Sequence, residues 1–222
     1  MFTSQAPGIL ALLDQGERAQ IAALAQRQNY RDQEVIHERG DLGACLSIVI
    51  EGNVSLYRIM NDGSIIFAST VGCGHNYADS ASIAGSSRTH RAVAHGKTVV
   101  DHFDKTAFEE IVEHHPNVVR ALYHIASHRL NMAIEMLDDA RILPTRVRLA
   151  KTLLRLEKDS PTPGVVSGKQ EQLAQMLGLS TVSIVQNLKR LAAEDLIETG
   201  YREIRIPDVD RLQRWAKEVD WE

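Results

Sequence analysis

The stretch between Pro116 and Pro144 restricts most strongly how this chain of 222 residues can fold, because it contains neither proline nor glycine. A helix that starts at Pro116 can therefore continue for roughly 25 residues, or about 37 Å, which is unusually long for a globular protein. Its apolar residues form a heptad seam with a second stripe beside it. The seam consists of Val119, Tyr123, Ala126, Leu130, Ala133, Leu137 and Ala140, and the stripe of Val118, Leu122, Ile125, Met132 and Met136.

Two apolar stripes on one helix need two partners. We expect the second stripe to pack on the domain that precedes the helix. The heptad seam is expected to pack on the same helix of a second subunit, so the sequence predicts a homodimer.

The residues before this helix are typical of short β-strands. Strand-like runs such as 46–50, 54–57 and 98–100 alternate with turn glycines spaced by 10–12 residues, and Asn61-Asp62-Gly63 is a strong hairpin signal. The pattern predicts a small antiparallel barrel or jelly roll. Residues 8–28 are predicted to form a helical lead-in that Gly16 interrupts.

Composition excludes several classes of protein. The net charge of −4 excludes a histone-like polybasic binder. Two cysteines, Cys45 and Cys73, are too few for a disulfide framework or for an iron–sulfur cluster held by one chain. No segment has the roughly 20 apolar residues that cross a bilayer, and we expect no secretory signal, no membrane partner and a cytoplasmic location.

The charge is distributed unevenly along the chain. Residues 1–144 hold 12 basic and 17 acidic residues, a net charge of −5, whereas residues 145–222 hold 13 and 12, a net charge of +1. The second part can therefore carry a local basic surface.

Residues 167–191 are typical of a helix-turn-helix. Ser167 and Gln170 have capping-box spacing, Gly178 supplies a tight turn, and Ser180 can cap a second helix. The outward side of that second helix would carry polar residues that read base edges and basic residues that bind phosphate. The predicted DNA-binding residues are Ser180, Thr181, Val182, Ser183, Gln186, Lys189 and Arg190.

A predicted β-hairpin follows this motif, with its turn at residues 200–202. Such a hairpin is the wing of a winged helix-turn-helix, and Arg202 in its turn is a further candidate for a phosphate contact. A generic pair of helices without DNA-binding activity is the structural alternative to this interpretation.

Over nearly its full length the chain resembles the cyclic-AMP receptor and fumarate-nitrate-reduction (Crp/Fnr) family of bacterial transcription regulators. The resemblance rests on the turn glycines, on the segments 77–79 and 87–89, on the central helix through Arg129-Leu130, and on the helix-turn-helix. It implies a dimeric DNA-binding regulator that senses an effector in its barrel, binds a two-fold-symmetric promoter site and contacts RNA polymerase.

The resemblance also assigns effector-binding positions. Where cyclic-AMP sensors of the family have a Gly-Glu pair and an Arg-Ser pair, this chain has Ala78-Asp79 and Arg88-Thr89, and Arg129 lies on the central helix. Ala133-Ile134 replaces the hydroxyl pair that would contact adenine, which argues against recognition of adenine. The triplet that reads the best-known half-site of the family is replaced by Thr181, Val182 and Gln186, so a different operator is expected.

The identity of the effector is left open by the sequence, with a cyclic nucleotide and haem as alternatives and an iron–sulfur cluster excluded. His124 and His128 have metal-compatible spacing but share a polar stripe, and His75, His90 and His95 follow no ligand pattern, so no metal site is predicted. The chain has no His-x-His motif and no catalytic residues are assigned, which argues against a jelly-roll metalloenzyme.

The sequence therefore predicts an α+β protein and a regulator rather than an enzyme. Residues 1–115 are expected to form an effector-sensing jelly roll with N-terminal helices, 116–143 the dimerisation helix and hinge, and 144–222 the winged helix-turn-helix. The alternative is a ligand-binding module that acts through a protein partner.

Overall fold

The computed structural model describes residues 7–42, 46–60, 63, 65–78, 87–158, 160 and 162–218. Contacts divide the chain into a unit up to Leu130 and a unit that starts at Asn131. None of the helices in the described ranges is long and apolar enough to cross a membrane.

The first unit is built on strands. A short 3-10 helix (Ile9–Leu12) and α1 (Gln15–Leu24) precede β1 (Gln26–Tyr30), β2 (Val35–His37), β3 (Leu46–Ile59), β4 (Ile65–Gly72), β5 (Asn76–Tyr77) and β6 (Arg91–Phe103), and α2 (Lys105–His114) follows them. Within the described residues the strands form one antiparallel sheet in the order β1-β6-β3-β4, with β2 paired to β6 and β5 to β3. The predicted jelly roll is confirmed.

The two faces of this sheet have different partners. Val49, Val54 and Val100 belong to an inner cluster with Tyr77. Leu46, Ile48 and Phe103 on the opposite face pack against the helices. Strand alternation therefore separates an interior apolar cluster from a face that the helices cover.

The N-terminal segment differs from the sequence prediction. The helix ends at Leu24, and Gln26–Tyr30 is a strand that pairs with β6, so the helix predicted to residue 28 is wrong at its end. Gly16 lies inside α1 rather than at a break. The helix begins after Asp14, whose Oδ1 accepts a 2.8 Å hydrogen bond from the Glu17 amide, because this capping box fixes the start.

The predicted hairpin between β3 and β4 is present, since Ile59 pairs with Ile65. Asn61 and Asp62, which were predicted to form its turn, lie outside the described residues.

The predicted long helix is α3, which runs from Pro116 to Ile142 over 27 residues. In the first unit, Val118, Leu122 and Ile125 are buried against the face of the sheet that the helices cover. Tyr123 and Leu130 of the heptad seam are 74% and 60% exposed. The first three residues of the second stripe therefore pack within the first unit as predicted, whereas Met136 of that stripe is 42% exposed. The seam presents an apolar surface.

The second unit contains the end of α3, α4 (Thr145–Lys158), β7 (Val165–Ser167), α5 (Gln170–Leu177), α6 (Thr181–Ala193), β8 (Glu198–Gly200), β9 (Glu203–Arg205) and α7 (Val209–Glu218). Its core includes Leu149, Leu153, Leu188 and Leu212, all at most 1% exposed. At the start of this unit, Asp139 of α3 binds Lys151 at 2.5 Å and Arg155 at 3.4 Å, both on α4.

One helix start was predicted wrongly. Ser167 pairs with Glu203 as the last residue of β7, and α5 begins at Gln170, so Ser167 does not cap the helix. Instead the Gln172 side chain accepts a 3.1 Å hydrogen bond from the Lys169 amide. Ser167 belongs to the wing sheet, whose order β7-β9-β8 includes a third strand that the sequence reading missed.

Candidate nucleic-acid interface and ligand cavity

The turn between α5 and α6 has the predicted geometry. Gly178 adopts a left-handed conformation with φ 65°, and the Leu179 amide donates to the Ala174 carbonyl at 2.9 Å. Ser180 caps α6 by accepting a 3.2 Å hydrogen bond from the Ser183 amide. Only glycine adopts this conformation without steric strain, so Gly178 can end one helix and redirect the chain into the next.

Helix α6 has one buried and one exposed side. Ile184, Leu188 and Leu191 are at most 1% exposed and fix the helix to its unit. Among the predicted DNA-binding residues of α6 and its cap, Ser183 is half-buried. The others are exposed: Ser180, Thr181, Val182, Gln186, Lys189 and Arg190. The structure therefore brings these residues onto one outward surface.

The wing carries Arg202 at its tip. Tyr201 and Arg202 form the turn between β8 and β9, Tyr201 is 89% exposed, and the Arg202 guanidinium lies 5.5 Å from the Tyr201 ring centroid. Between this turn and the start of α5 lies a cleft of about 510 Å³ lined by Lys169, Gln170 and the wing residues. Sequence reasoning missed Lys169, because a cap at Ser167 placed it within the helix.

A polar cluster fixes the C-terminal end of α6. Glu194 pairs with Arg146 of α4 and accepts a 2.9 Å hydrogen bond from the Trp215 indole of α7. The Arg146 guanidinium lies 4.9 Å from the Trp215 ring centroid, a cation–π distance. These contacts connect α4 and α7 to the end of α6, the helix that carries the outward residues.

In the first unit the structure brings together two of the predicted effector residues, Arg88 and Ala78. Arg88 is 6% exposed and donates a 3.4 Å hydrogen bond to the Ala78 carbonyl. Thr89 is exposed, and its hydroxyl lies 2.9 Å from His90 Nδ1. Ala78 has φ 72°, and Asp79 lies outside the described residues. Arg88 also lines a cavity of about 310 Å³.

Arg129 connects the central helix to the same segment. Its Nη2 donates to the Asn76 carbonyl at 2.7 Å, and Asn76 is 1% exposed in β5. The contact joins α3 to the residue that lies two positions before Ala78.

The cavity beside Arg88 contains a chain of polar groups that the sequence reading did not identify. His102 Nδ1 lies 2.9 Å from Ser47 Oγ, its Nε2 lies 2.9 Å from the Tyr30 hydroxyl, and that hydroxyl donates to Gln28 Oε1 at 2.5 Å. Because Gln28 Oε1 only accepts, Tyr30 accepts from His102 Nε2–H and Ser47 donates to His102 Nδ1. His102 is therefore satisfied as a neutral imidazole. Ser47 pairs with His102 in the sheet, but Tyr30 pairs with Thr98, so no local sequence signal indicates this row.

A second histidine lies nearby. The His37 ring stacks on Tyr77 with centroids 5.9 Å apart. Burial, followed by the positive charge of Arg88, lowers the pKa of His37 to about 4 and that of His102 to about 4. Both imidazoles are therefore neutral at neutral pH.

The histidines and cysteines that were considered as metal or redox sites make hydrogen bonds to nearby backbone where the structure describes them, as at His75 and Cys73. Within the described part of the chain, no three His, Cys, Asp or Glu side chains form a potential metal-binding group. His75 Nδ1 lies 3.1 Å from the Cys73 carbonyl, and the exposed Cys73 thiol donates to the Ile50 carbonyl at 3.0 Å. Cys45 lies outside the described residues.

Comparisons with known proteins agree with both units. Residues 27–115 match the cyclic nucleotide-binding domain family and residues 147–215 the Crp-like helix-turn-helix domain family. The chain is 25% identical to the cyclic AMP receptor protein of Thermus thermophilus, over 86% of this chain and 88% of that one. It is 24% identical to the CRP-like cAMP-activated global transcriptional regulator of Mycobacterium tuberculosis, over 90% and 94%.

The chain belongs to the Crp/Fnr family of transcription regulators. A mutant CooA structure from Carboxydothermus hydrogenoformans has the same fold, with a TM-score of 0.77 at 16% identity over 97% of this chain and 98% of that one. As a Crp/Fnr regulator, the protein binds DNA through its winged helix-turn-helix, and its family and fold are not those of enzymes.

Proposed function

We propose that the protein is a cytoplasmic homodimer that binds a two-fold-symmetric promoter site, contacts RNA polymerase there, and is controlled by an effector in its barrel. In this proposal residues 1–115 sense the effector, 116–143 dimerise, and 144–222 read DNA. The observation that carries it is the apolar seam of α3, where Leu130 and Leu137 are 60% and 65% exposed.

The seam supports a dimer because its exposed side chains are apolar, and removing apolar surface from water is favourable. Pairing two such helices in register removes both rows of leucines from solvent, and each fully buried leucine contributes about 1.5–3 kcal/mol. A two-fold axis along the helices would place two copies of α6 on successive half-sites of a symmetric operator.

Within each half-site, Gln186 is suited to an adenine edge, and Thr181, Val182 and Ser183 to neighbouring base edges or methyl groups. Lys189, Arg190 and Arg202 are suited to phosphates, and so is Lys169 beside the wing. These assignments are supported by the exposure of most of these side chains on one face of α6 and at the wing cleft.

Transmission of the effector signal is supported by Arg129. Its 2.7 Å hydrogen bond to the Asn76 carbonyl joins the central helix to the strand that leads to Ala78. A shift of β5 on effector binding would therefore act directly on α3.

Replacing both exposed leucines of the seam by aspartate tests the dimer. We expect L130D/L137D to sediment as a monomer and to lose binding to a full operator, which is selected from random DNA with the wild-type protein. Val112→Asp, at a 50% exposed apolar position on α2, is the matched control and should stay dimeric. A wild-type protein that sediments as a monomer, or that selects no DNA with any effector, would contradict the proposal. The latter result would favour action through a protein partner.

A further inference from the structure

The end of α3 forms an apolar slot with α4 and α5, wholly within the unit that starts at Asn131. The slot has a volume of about 440 Å³, inside the range of about 300–1,000 Å³ for ligand pockets. Its apolar lining is aliphatic and includes two methionines, whose flexible side chains adapt to the shape of a bound molecule. This lining fits an aliphatic chain. The apolar residues are Ala133, Met136, Leu137, Ala140, Met176 and Leu177.

The polar part of the lining has an excess of positive charge. Arg148 and Arg155 of α4 line the slot together with Asp139 and Thr152. Asp139 already binds Lys151 at 2.5 Å and Arg155 at 3.4 Å, so three cations lie around one carboxylate. The Thr152 hydroxyl donates to the Arg148 carbonyl at 2.8 Å. An anionic group therefore suits the polar end of the slot better than a neutral or cationic one.

Arg148 is the cation best placed to bind such a group. Its Nη2 and Nη1 donate to the Leu177 and Ala140 carbonyls at 3.4 and 3.5 Å, which are long distances for hydrogen bonds. Its Nε is buried and has no hydrogen-bond partner in the part of the chain that the structure describes. Within that part, no carboxylate lies at ion-pair distance from this guanidinium. An anion beside Arg148 would replace two weak contacts by charge-assisted hydrogen bonds.

The proposed dimer would leave this slot open. In a parallel pair of α3 helices, the seam residues Leu137 and Ala140 face the other chain. The heptad position that flanks Met136 on that chain is occupied by Arg141, which is charged and exposed. An arginine at this position adds positive charge at the edge of the slot instead of filling it with an apolar side chain. The apolar volume is therefore left for a small molecule.

We propose that the slot binds an aliphatic amphiphile with an anionic head group, with its chain along Met136 and Met176 and its head group at Arg148. The site is separate from the barrel, because it lies in the unit that carries the helix-turn-helix. Binding requires neither a dimer nor DNA. Its failure would leave operator binding and dimerisation intact, so it is distinguishable from failure of the proposed function.

Methyl NMR of the full-length protein labelled at methionine tests the proposal. The chain has five methionines, of which Met136 and Met176 line the slot, whereas Met60 lies in the first unit. On titration with sodium octanoate against sodium chloride of the same ionic strength, we expect saturable shifts of Met136 and Met176 and none of Met60. Octyl sulfate, which also has an anionic head group, should bind at the same methyl groups.

Three further compounds separate the chain from the head group. Acetate has the charge without the chain and should cause no shift. Octanol has the chain without the charge and should bind about tenfold more weakly than octanoate, because hydrogen bonds to charged groups are the stronger ones. Octylammonium has the opposite charge and should not bind.

Variants locate the head group. Arg148→Gln should reduce octanoate affinity about tenfold and leave octanol affinity unchanged, since it removes the charge and keeps the apolar walls. Arg214→Gln, at an exposed arginine on α7 of the same unit, is the matched control and should bind octanoate as wild type does. If Arg148→Gln fails to fold, the comparison of octanoate with octylammonium on wild type still tests the anionic head group.

Four results would overturn the proposal. These are octanoate shifts that do not saturate, equal affinities for octanoate and octanol or octylammonium, an unchanged octanoate affinity in a folded Arg148→Gln variant, and contacts of the Met136 and Met176 methyl groups with a second chain. Mixed-label NOE spectra of the wild-type protein detect such contacts. They would show that a second copy of the chain occupies the slot.

Discussion

At the scale of single residues, we expect specificity for DNA to depend on a few side chains of α6. Gln186 is exposed and neutral, whereas Lys189 lies one turn further along and is charged. We expect Gln186→Ala to lose about 1–3 kcal/mol at one base pair and to relax selectivity there. Lys189→Ala should weaken binding to specific and random DNA alike and reduce the dependence on salt. Competition mobility shifts on operator and random duplexes measure both effects. Equal losses on the two duplexes for Gln186→Ala would contradict a base contact.

Ala78 has a backbone conformation that favours glycine. It has φ 72°, where a Cβ costs about 1–2 kcal/mol, and the family resemblance places a glycine at this position. We expect Ala78→Gly to raise the free energy of unfolding by up to about 1 kcal/mol, since the greater entropy of an unfolded glycine offsets part of the gain. Urea denaturation of the two proteins measures it. A less stable glycine variant would show that Ala78 is not strained.

At the scale of elements, the junction of α3 and α4 is fixed by charge. Asp139 is 13% exposed at its side chain and binds both Lys151 and Arg155. We expect Asp139→Asn to destabilise the unit that starts at Asn131 by about 1 kcal/mol, with a smaller effect in high salt. Asp138→Asn, at the exposed neighbouring position, is the matched control. Hydrogen exchange of α4 amides distinguishes the variants, and equal protection in both would exclude this role for Asp139.

Periodicity predicted most of these elements, and the exceptions have physical causes. The long helix α3, with its 27 residues, was predictable because the segment lacks helix breakers. The turn at Gly178 was predictable because a tight turn between helices requires a residue with positive φ. β1 was missed because Gln26–Tyr30 is polar and its pairing with β6 is between residues more than 65 apart in sequence. The Ser47–His102–Tyr30 row was missed for the same reason, since it joins three strands that only the fold brings together.

At the scale of the whole molecule, the half-buried imidazoles of His37 and His102 make stability depend on pH. The pKa values of His37 and His102 are lowered to about 4 in the folded chain, whereas an unfolded histidine takes up a proton below about pH 6.5. Their contribution to stability is therefore complete above about pH 6.5 and is lost as the pH falls towards 4. By pH 5 we expect a loss of about 2 kcal/mol for each histidine. Urea denaturation of wild type, His37→Gln and His102→Gln from pH 7 to 5 measures it. The exposed His114→Gln should behave as wild type, and an unchanged pH slope in the other two would contradict the assignment.

If the exposed leucines of α3 pair two chains, as proposed, they also have a consequence for gene control. If the active species is a pair of chains, operator occupancy at low abundance rises with the square of the chain concentration. Halving synthesis of the protein would then reduce occupancy about fourfold. A row of apolar side chains along one helix would thus make transcription respond more steeply to the abundance of the regulator than a single-chain binder could.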